Sequence, residues 1–148
     1  MSVRSKRRAL KDAKDARGGG TFVALPHYVL CSPELAALSP HAIKLLIDLL
    51  SQYCIDNNGD LTMAWVVMQS RGWKSKDTLN KARKELLEAG FIVTSRQGGL
   101  HQCSLFAVTF FAINECNGKH DLKPTTRPPG GWIKNARPST PAVLKAVA

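Results

Sequence analysis

The chain has 148 residues, 22% of them charged, and a formal charge of +10 at neutral pH. That length suits one domain with tails and a real core, and no apolar run approaches the ~20 residues of a membrane-spanning helix. The N-terminus is basic but has no apolar stretch of the secretory type, so the chain is assigned to the cytoplasm with no membrane partner.

Charge is unevenly placed. Residues 1–17 carry seven Lys/Arg against two Asp, and residues 117–148 carry six against one, so each end contributes +5. The stretch between them is neutral, with eight bases and eight acids, yet six of those bases fall between Arg71 and Lys84. A neutral body polarised toward one segment, with basic ends, is the electrostatic footprint of a nucleic-acid binder.

In chain order, Met1 to Ala16 has a weak amphipathic helical pattern, cut off by Gly18-Gly19-Gly20 as a hinge. Residues 1–20 are therefore a basic flexible arm. Three readings of it stay open: a disordered solubilising tail, a DNA-tracking arm or, weakest, a membrane-surface helix. Thr21 to Leu30, broken by Pro26, reads as an extended lead-in or edge strand. Ser32-Pro33 starts a short helix to Leu38, and Ser39-Pro40 starts the next by the same device of a hydroxyl cap followed by proline. In that second helix Ile43, Leu46, Ile47 and Leu50 recur at helical spacing as the predicted core face, ending near Tyr53.

Asp56-Asn57-Asn58-Gly59 is a turn, and Asp60-Leu61-Thr62 a short strand. Met63 to Met68 reads as a helix with Thr62 as N-cap, closed by Arg71-Gly72. The clearest helix follows, from Ser75 as N-cap to Gly90 as left-handed stop, with Leu79, Ala82 and Leu86 inward. Asp77, Asn80, Lys81 and Lys84 then lie outward, with Lys76 at the edge. Phe91 to Thr94 and Ser104 to Phe111 are strand-like runs joined through Gly98-Gly99, a hairpin signal. Leu46, Ile47, Leu50, Leu79, Leu86, Phe91, Leu105 and Phe106 or its neighbour are expected to share one core. Residues 117–148 are Pro/Gly/Lys-rich and without periodicity, so a largely disordered tail is expected, with Trp132 and Ile133 either pinning it to the domain or marking a stub for a protein partner.

Helix, Gly-containing turn, helix and β-hairpin form the order of a winged helix-turn-helix. The segments LSPHAIKLLIDLL, NNGDLT, RGWKSKDTLNKARKELLEAGFI and TSRQGG, about half the chain, resemble the winged helix-turn-helix domains of bacterial, phage and plasmid regulators and replication initiators. The expected fold is thus α+β, with a three-helix core and a β-hairpin wing over residues 21–116 and basic tails at both ends. The resemblance implies that double-stranded DNA is bound by the second helix of the motif, with the wing as an auxiliary contact.

The expected contacts follow from residue chemistry. Asn80 suits bidentate pairing with adenine, while Lys81 and Lys84 suit phosphate or guanine. Arg71, Lys74, Ser75 and Lys76 flank the helix entry beside the backbone, Asp77 favours the positive helix end, and Arg96, Gln97 and His101 carry the wing contact.

Catalytic and metal patterns are missing from the sequence. Cys31, Cys54, Cys103 and Cys116 form no C-x₂₋₄-C pair, and no zinc site or other cofactor is expected. His27, His41, His101 and His120 have no spacing suited to acid–base work, and neither a phosphate-cradling loop nor a Gly-framed serine occurs. No enzymatic activity is expected. The leading reading is a sequence-specific transcription regulator. A plasmid or phage replication-initiation or partition component, a protein-interaction module, RNA binding and homodimer formation remain alternatives.

Overall fold

The computed structural model describes residues 2–133. It is an α+β arrangement of helices against a small three-stranded antiparallel sheet. The first helix, α1 (Val3–Asp15), buries none of its residues. Two single-turn helices follow, α2 (His27–Leu30) and α3 (Pro33–Ala36), then α4 (Pro40–Leu50), strand β1 (Leu61–Thr62), α5 (Trp65–Ser70) and α6 (Lys76–Ala89). Strands β2 (Ile92–Arg96) and β3 (Leu105–Val108) and a short 3₁₀ turn over Cys116–Gly118 complete it.

Local capping chemistry sets most boundaries. The Ser32, Ser39 and Ser75 hydroxyls each accept a first-turn amide, from Leu35, Ala42 and Thr78 respectively. Such caps satisfy amides that the helix itself cannot. Gly90 closes α6 at φ 80°, and a Cβ there would also collide with the Gly131 carbonyl. Only glycine meets both demands.

α6 packs against α4 through Leu79, Ala82 and Leu86, the expected face. The Glu85 carboxylate of α6 reaches across to the start of α4, accepting from the Ser39 amide at 2.7 Å and its hydroxyl at 2.6 Å. A carboxylate at that helix end is also favoured by the helix dipole.

The predicted face of α4 is corrected by about one residue. Ala42, Leu45, Leu46, Leu49 and Leu50 are buried, whereas Ile43 and Ile47 are 37% and 48% exposed. The apolar stripe is wide enough to fit either phase. Two polar anchors decide it, Glu85 on Ser39 at one end and buried Asp48 near the other. Asp48 could not point inward if Ile43 and Ile47 did.

Thr62 is also reassigned. It lies in β1, its hydroxyl accepts from the Ala64 amide at 3.1 Å, and Ala64 itself occupies the cap of α5. The edge strand expected before Leu30 is not formed. Pro26 instead caps α2, which tucks Val29 into the core.

The sheet order is β1-β3-β2, with Leu61 opposite Phe106 and Ile92 opposite Val108. A register shift between Thr94 and Arg96 turns Ser95 inward, where its hydroxyl donates to the Gly59 carbonyl at 2.5 Å. Phe106 and Val108 join the main core. By strand alternation Leu105 lies on the opposite face, buried but outside that cluster.

Residues 117–133, expected in a largely disordered tail, run along the body, and of the two readings of Trp132 it is the pinning one that the packing matches. Trp132 is 2% exposed, stacked on Phe91 at 5.2 Å and Tyr28 at 6.0 Å. The Asp121 amide donates to Ser95 and the Gly130 amide to Thr109. The expectation for residues 134–148 lies outside the described residues.

Leu86→Ala should cost about 2–5 kcal/mol in urea denaturation and Trp132→Ala about 3–5, because each leaves a core void. Ile47→Ala should stay within about 0.5 kcal/mol. A large loss at Ile47 would reverse the phase assigned to α4.

Candidate nucleic-acid interface

Six cations lie between Arg71 and Lys84, and their surroundings divide them into two groups. Lys81, on the outer face of α6, is paired with Asp77 one turn earlier at 2.8 Å. The hydrogen bond and charge of Asp77 raise its ammonium above the ordinary value. Arg71 turns toward Asp48, its Nε donating to Oδ1 at 3.0 Å. Lys74, Lys76, Arg83 and Lys84 have no carboxylate partner among the described residues. Lys74, Lys76 and Lys84 are exposed, Arg83 half-buried.

Successive residues of α6 turn by about 100°. Its outermost strip therefore holds Asp77, Lys81, Lys84 and Glu88, two charges of each sign, and is not itself strongly positive. Lys76, Asn80 and Arg83 share the flank beside the hairpin, bordering a channel of about 530 Å³ with Cys103, Ser104 and Phe106 across it. Ser75 is engaged as the N-cap of this helix. Lys76 places its ammonium 5.6 Å from the centre of the Trp65 ring.

Asn80 is bonded within its own helix. Its Oδ1 accepts from Arg83 Nη2, which uses one of that oxygen's two acceptor positions. Arg83 was not among the predicted contacts. Its signal was the three-residue spacing from Asn80, which brings two side chains together on one helix flank.

The hairpin carries Gln97 and His101 exposed near its tip, where Gly99 bridges Gln102 and the Gly98 amide donates to Ser104 Oγ. Arg96 is held inward instead: Nη1 donates to the Lys119 carbonyl at 3.1 Å and Nη2 to Cys103 at 3.0 Å. Its guanidinium braces the hairpin base against the segment that follows the sheet. Gln97 and His101 are thus brought to one tip and Arg96 is not.

A second group missed in the sequence supports the helix entry. Asp48, 3% exposed, accepts from Trp73 Nε1 at 2.7 Å, Arg71 Nε at 3.0 Å and Lys44 Nζ at 2.9 Å. Lys44 also donates to the Arg71 carbonyl. Burial alone would raise the Asp48 carboxyl, but hydrogen bonds from Lys44, Trp73 and Arg71 outweigh it and hold the group below its ordinary value. The signal was an acid at the buried spacing of Leu45 and Leu49 with a lysine four residues before it.

Within the described residues no helix is long and apolar enough to cross a membrane, and the four cysteines are free thiols. No family model matches the chain, and neither the curated proteins nor the solved structures contain a significant match.

A depressed carboxyl favours the folded state above its unfolded value of 3.8, and that contribution is lost as pH falls through 3.8 toward the folded value. Thermal melts should therefore show the midpoint dropping on acidification below that point. Asp48→Asn should flatten this part of the profile and cost about 1–3 kcal/mol at neutral pH, since Trp73 and its neighbours lose a charged acceptor. An unaltered acid limb in the variant would sink the assignment.

Proposed function

We infer that the chain is a double-stranded DNA-binding protein of winged-helix type, acting as a sequence-specific transcription regulator of a bacterial or mobile genetic element. The observation that carries this reading is the cluster of Lys74, Lys76, Arg83 and Lys84. All four lie on or just before α6, two of them, Lys76 and Arg83, beside the hairpin, in a body whose net charge is zero. The order α4, β1, α5, α6, β2, β3 also supports it, with α4 as the supporting helix and α5–turn–α6 as the helix pair. In that arrangement the first turns of α6 enter the major groove, and Gln97 and His101 bring the hairpin tip to the adjoining minor groove.

Lys84, exposed and without an acidic partner among the described residues, contacts phosphate. Lys74 adds a backbone contact ahead of the helix, and the basic arm of residues 1–17 follows the duplex without reading it. The same domain suits a replication-initiation or partition component. Ile43 and Ile47, exposed one turn apart on α4, favour a further protein contact, a second copy included. Selection from a random duplex pool separates these roles: a palindromic consensus belongs to a dimeric regulator, and direct repeats to an initiator.

Lys84→Ala should weaken binding evenly across sequences and lower the salt dependence by about one unit, because one fewer counterion is released. Removing residues 1–17 should weaken all duplexes alike and leave the thermal midpoint nearly unchanged, since α1 buries nothing. Anisotropy titrations over a salt series read both. If neither change affects DNA affinity, the fold serves a protein partner.

A further inference from the structure

The channel between α6 and the hairpin is flanked by the two elements that the DNA reading assigns to adjoining grooves. The ridge that separates a major from a minor groove is a single sugar-phosphate strand. With α6 on one side of that ridge and the hairpin on the other, the strand must run along the channel. We propose that the channel is a phosphodiester seat in which Arg83 grips the DNA strand and Asn80 is its positioning residue, not a base reader. This rests on the DNA-binding reading above.

Four features of the channel support the proposal. Its helix wall carries two cations, Lys76 and Arg83, and its one acid, Asp77, is committed to Lys81. Arg83 gives one Nη2 hydrogen to Asn80 Oδ1 and makes no other hydrogen bond among the described residues. A guanidinium has five N–H groups in a planar fork, so the remaining donors suit a bidentate hold on phosphate oxygens. On the opposite wall Ser104 Oγ accepts from the Gly98 amide, which leaves its own hydroxyl hydrogen to donate.

The floor is apolar at Phe106 and Leu79. An apolar floor lowers the local dielectric and strengthens charge-assisted bonds above it. Asn80 Oδ1 already accepts from Arg83, which ties the amide to the guanidinium and leaves that oxygen a single acceptor position for a base edge. Its amide holds the guanidinium over the channel.

The test uses the full chain, a short random-sequence duplex and a duplex recovered by selection, with phosphate-ethylation interference and salt titration as readouts. Arg83→Ala should lower affinity about tenfold on both duplexes, as expected for one charge-assisted contact. It should reduce the salt slope by about one unit and erase interference at one or two phosphates on the strand between the grooves. Arg83→Lys should keep the slope but recover only part of the affinity, a split that a purely structural role would not produce.

Asn80→Ala should weaken both duplexes with the slope kept, and should add nothing further in the Arg83→Ala background. Loss of preference at a single base pair in either variant, or additive effects of the two, overturns the proposal. Unchanged binding by Arg83→Ala overturns the seat and leaves the DNA reading standing. Lack of salt-dependent binding by the unaltered chain overturns both.

Discussion

One buried carboxylate governs how the helices meet. Asp48 lies on the inner face of α4 and gathers Lys44 from its own helix with Arg71 and Trp73 from the turn before α6. A buried charge is tolerable only when its lone pairs are matched, and here three donors match them. The consequence is geometric: the turn between α5 and α6 is tied to α4 by two side chains and by the Lys44 bond to the Arg71 carbonyl. Glu85 adds a clasp farther along, binding α6 to the cap of α4. The direction in which α6 leaves the body is thus set by polar contacts, with Leu79, Ala82 and Leu86 supplying most of the burial behind them.

The same contacts sort the basic residues. In sequence the run from Arg71 to Lys84 looks uniformly positive. In the fold Arg71 belongs to Asp48 and Lys81 to Asp77, while Lys74, Lys76, Arg83 and Lys84 have no acidic partner among the described residues, Arg83 giving one bond to the neutral Asn80 amide. Arg96 is drawn the other way, into carbonyl bonds that close the hairpin base. The positive surface is therefore narrower than composition suggests. It centres on the entry of α6 and the channel beside the hairpin.

The hairpin and the segment after it are joined in a comparable way. Asn58, fully buried, donates to the Val108, Phe111 and Ala112 carbonyls and accepts the Val108 amide, stitching the turn before β1 to the exit of β3. His120 lies over Gly59, with Nδ1 accepting from the Leu122 amide and Nε2 facing the Asn114 carbonyl at 2.7 Å. Since Nδ1 accepts, Nε2 carries the proton and donates. Trp132 then closes the far side of the core against Phe91 and Tyr28. A segment that looks like a linker in composition follows the body because a few of its residues, Asp121, Thr125, Gly130 and Trp132 among them, bond backbone groups or stack on rings there.

The features legible in the sequence are those set by neighbours along the chain. Ser39 and Ser75 cap helices, Gly90 ends one, and Leu79, Ala82 and Leu86 share a face, because each effect acts within one turn of helix. The short strand at Leu61 and the pairing of β2 with β3 were legible for the same reason of local pattern. What only the tertiary structure decided depends on partners far apart in sequence. The phase of α4 followed from Asp48 meeting Trp73 and Ser39 meeting Glu85, not from its apolar stripe. Arg96 turned toward the Lys119 and Cys103 carbonyls, and the choice between the two readings of Trp132 was made by its stacking on Phe91 and Tyr28. Helical spacing places Asn80 near Arg83, but the channel they border exists only because the hairpin folds back beside α6. Periodicity shows which side chains share a face. Which partner that face will meet depends on distant parts of the chain.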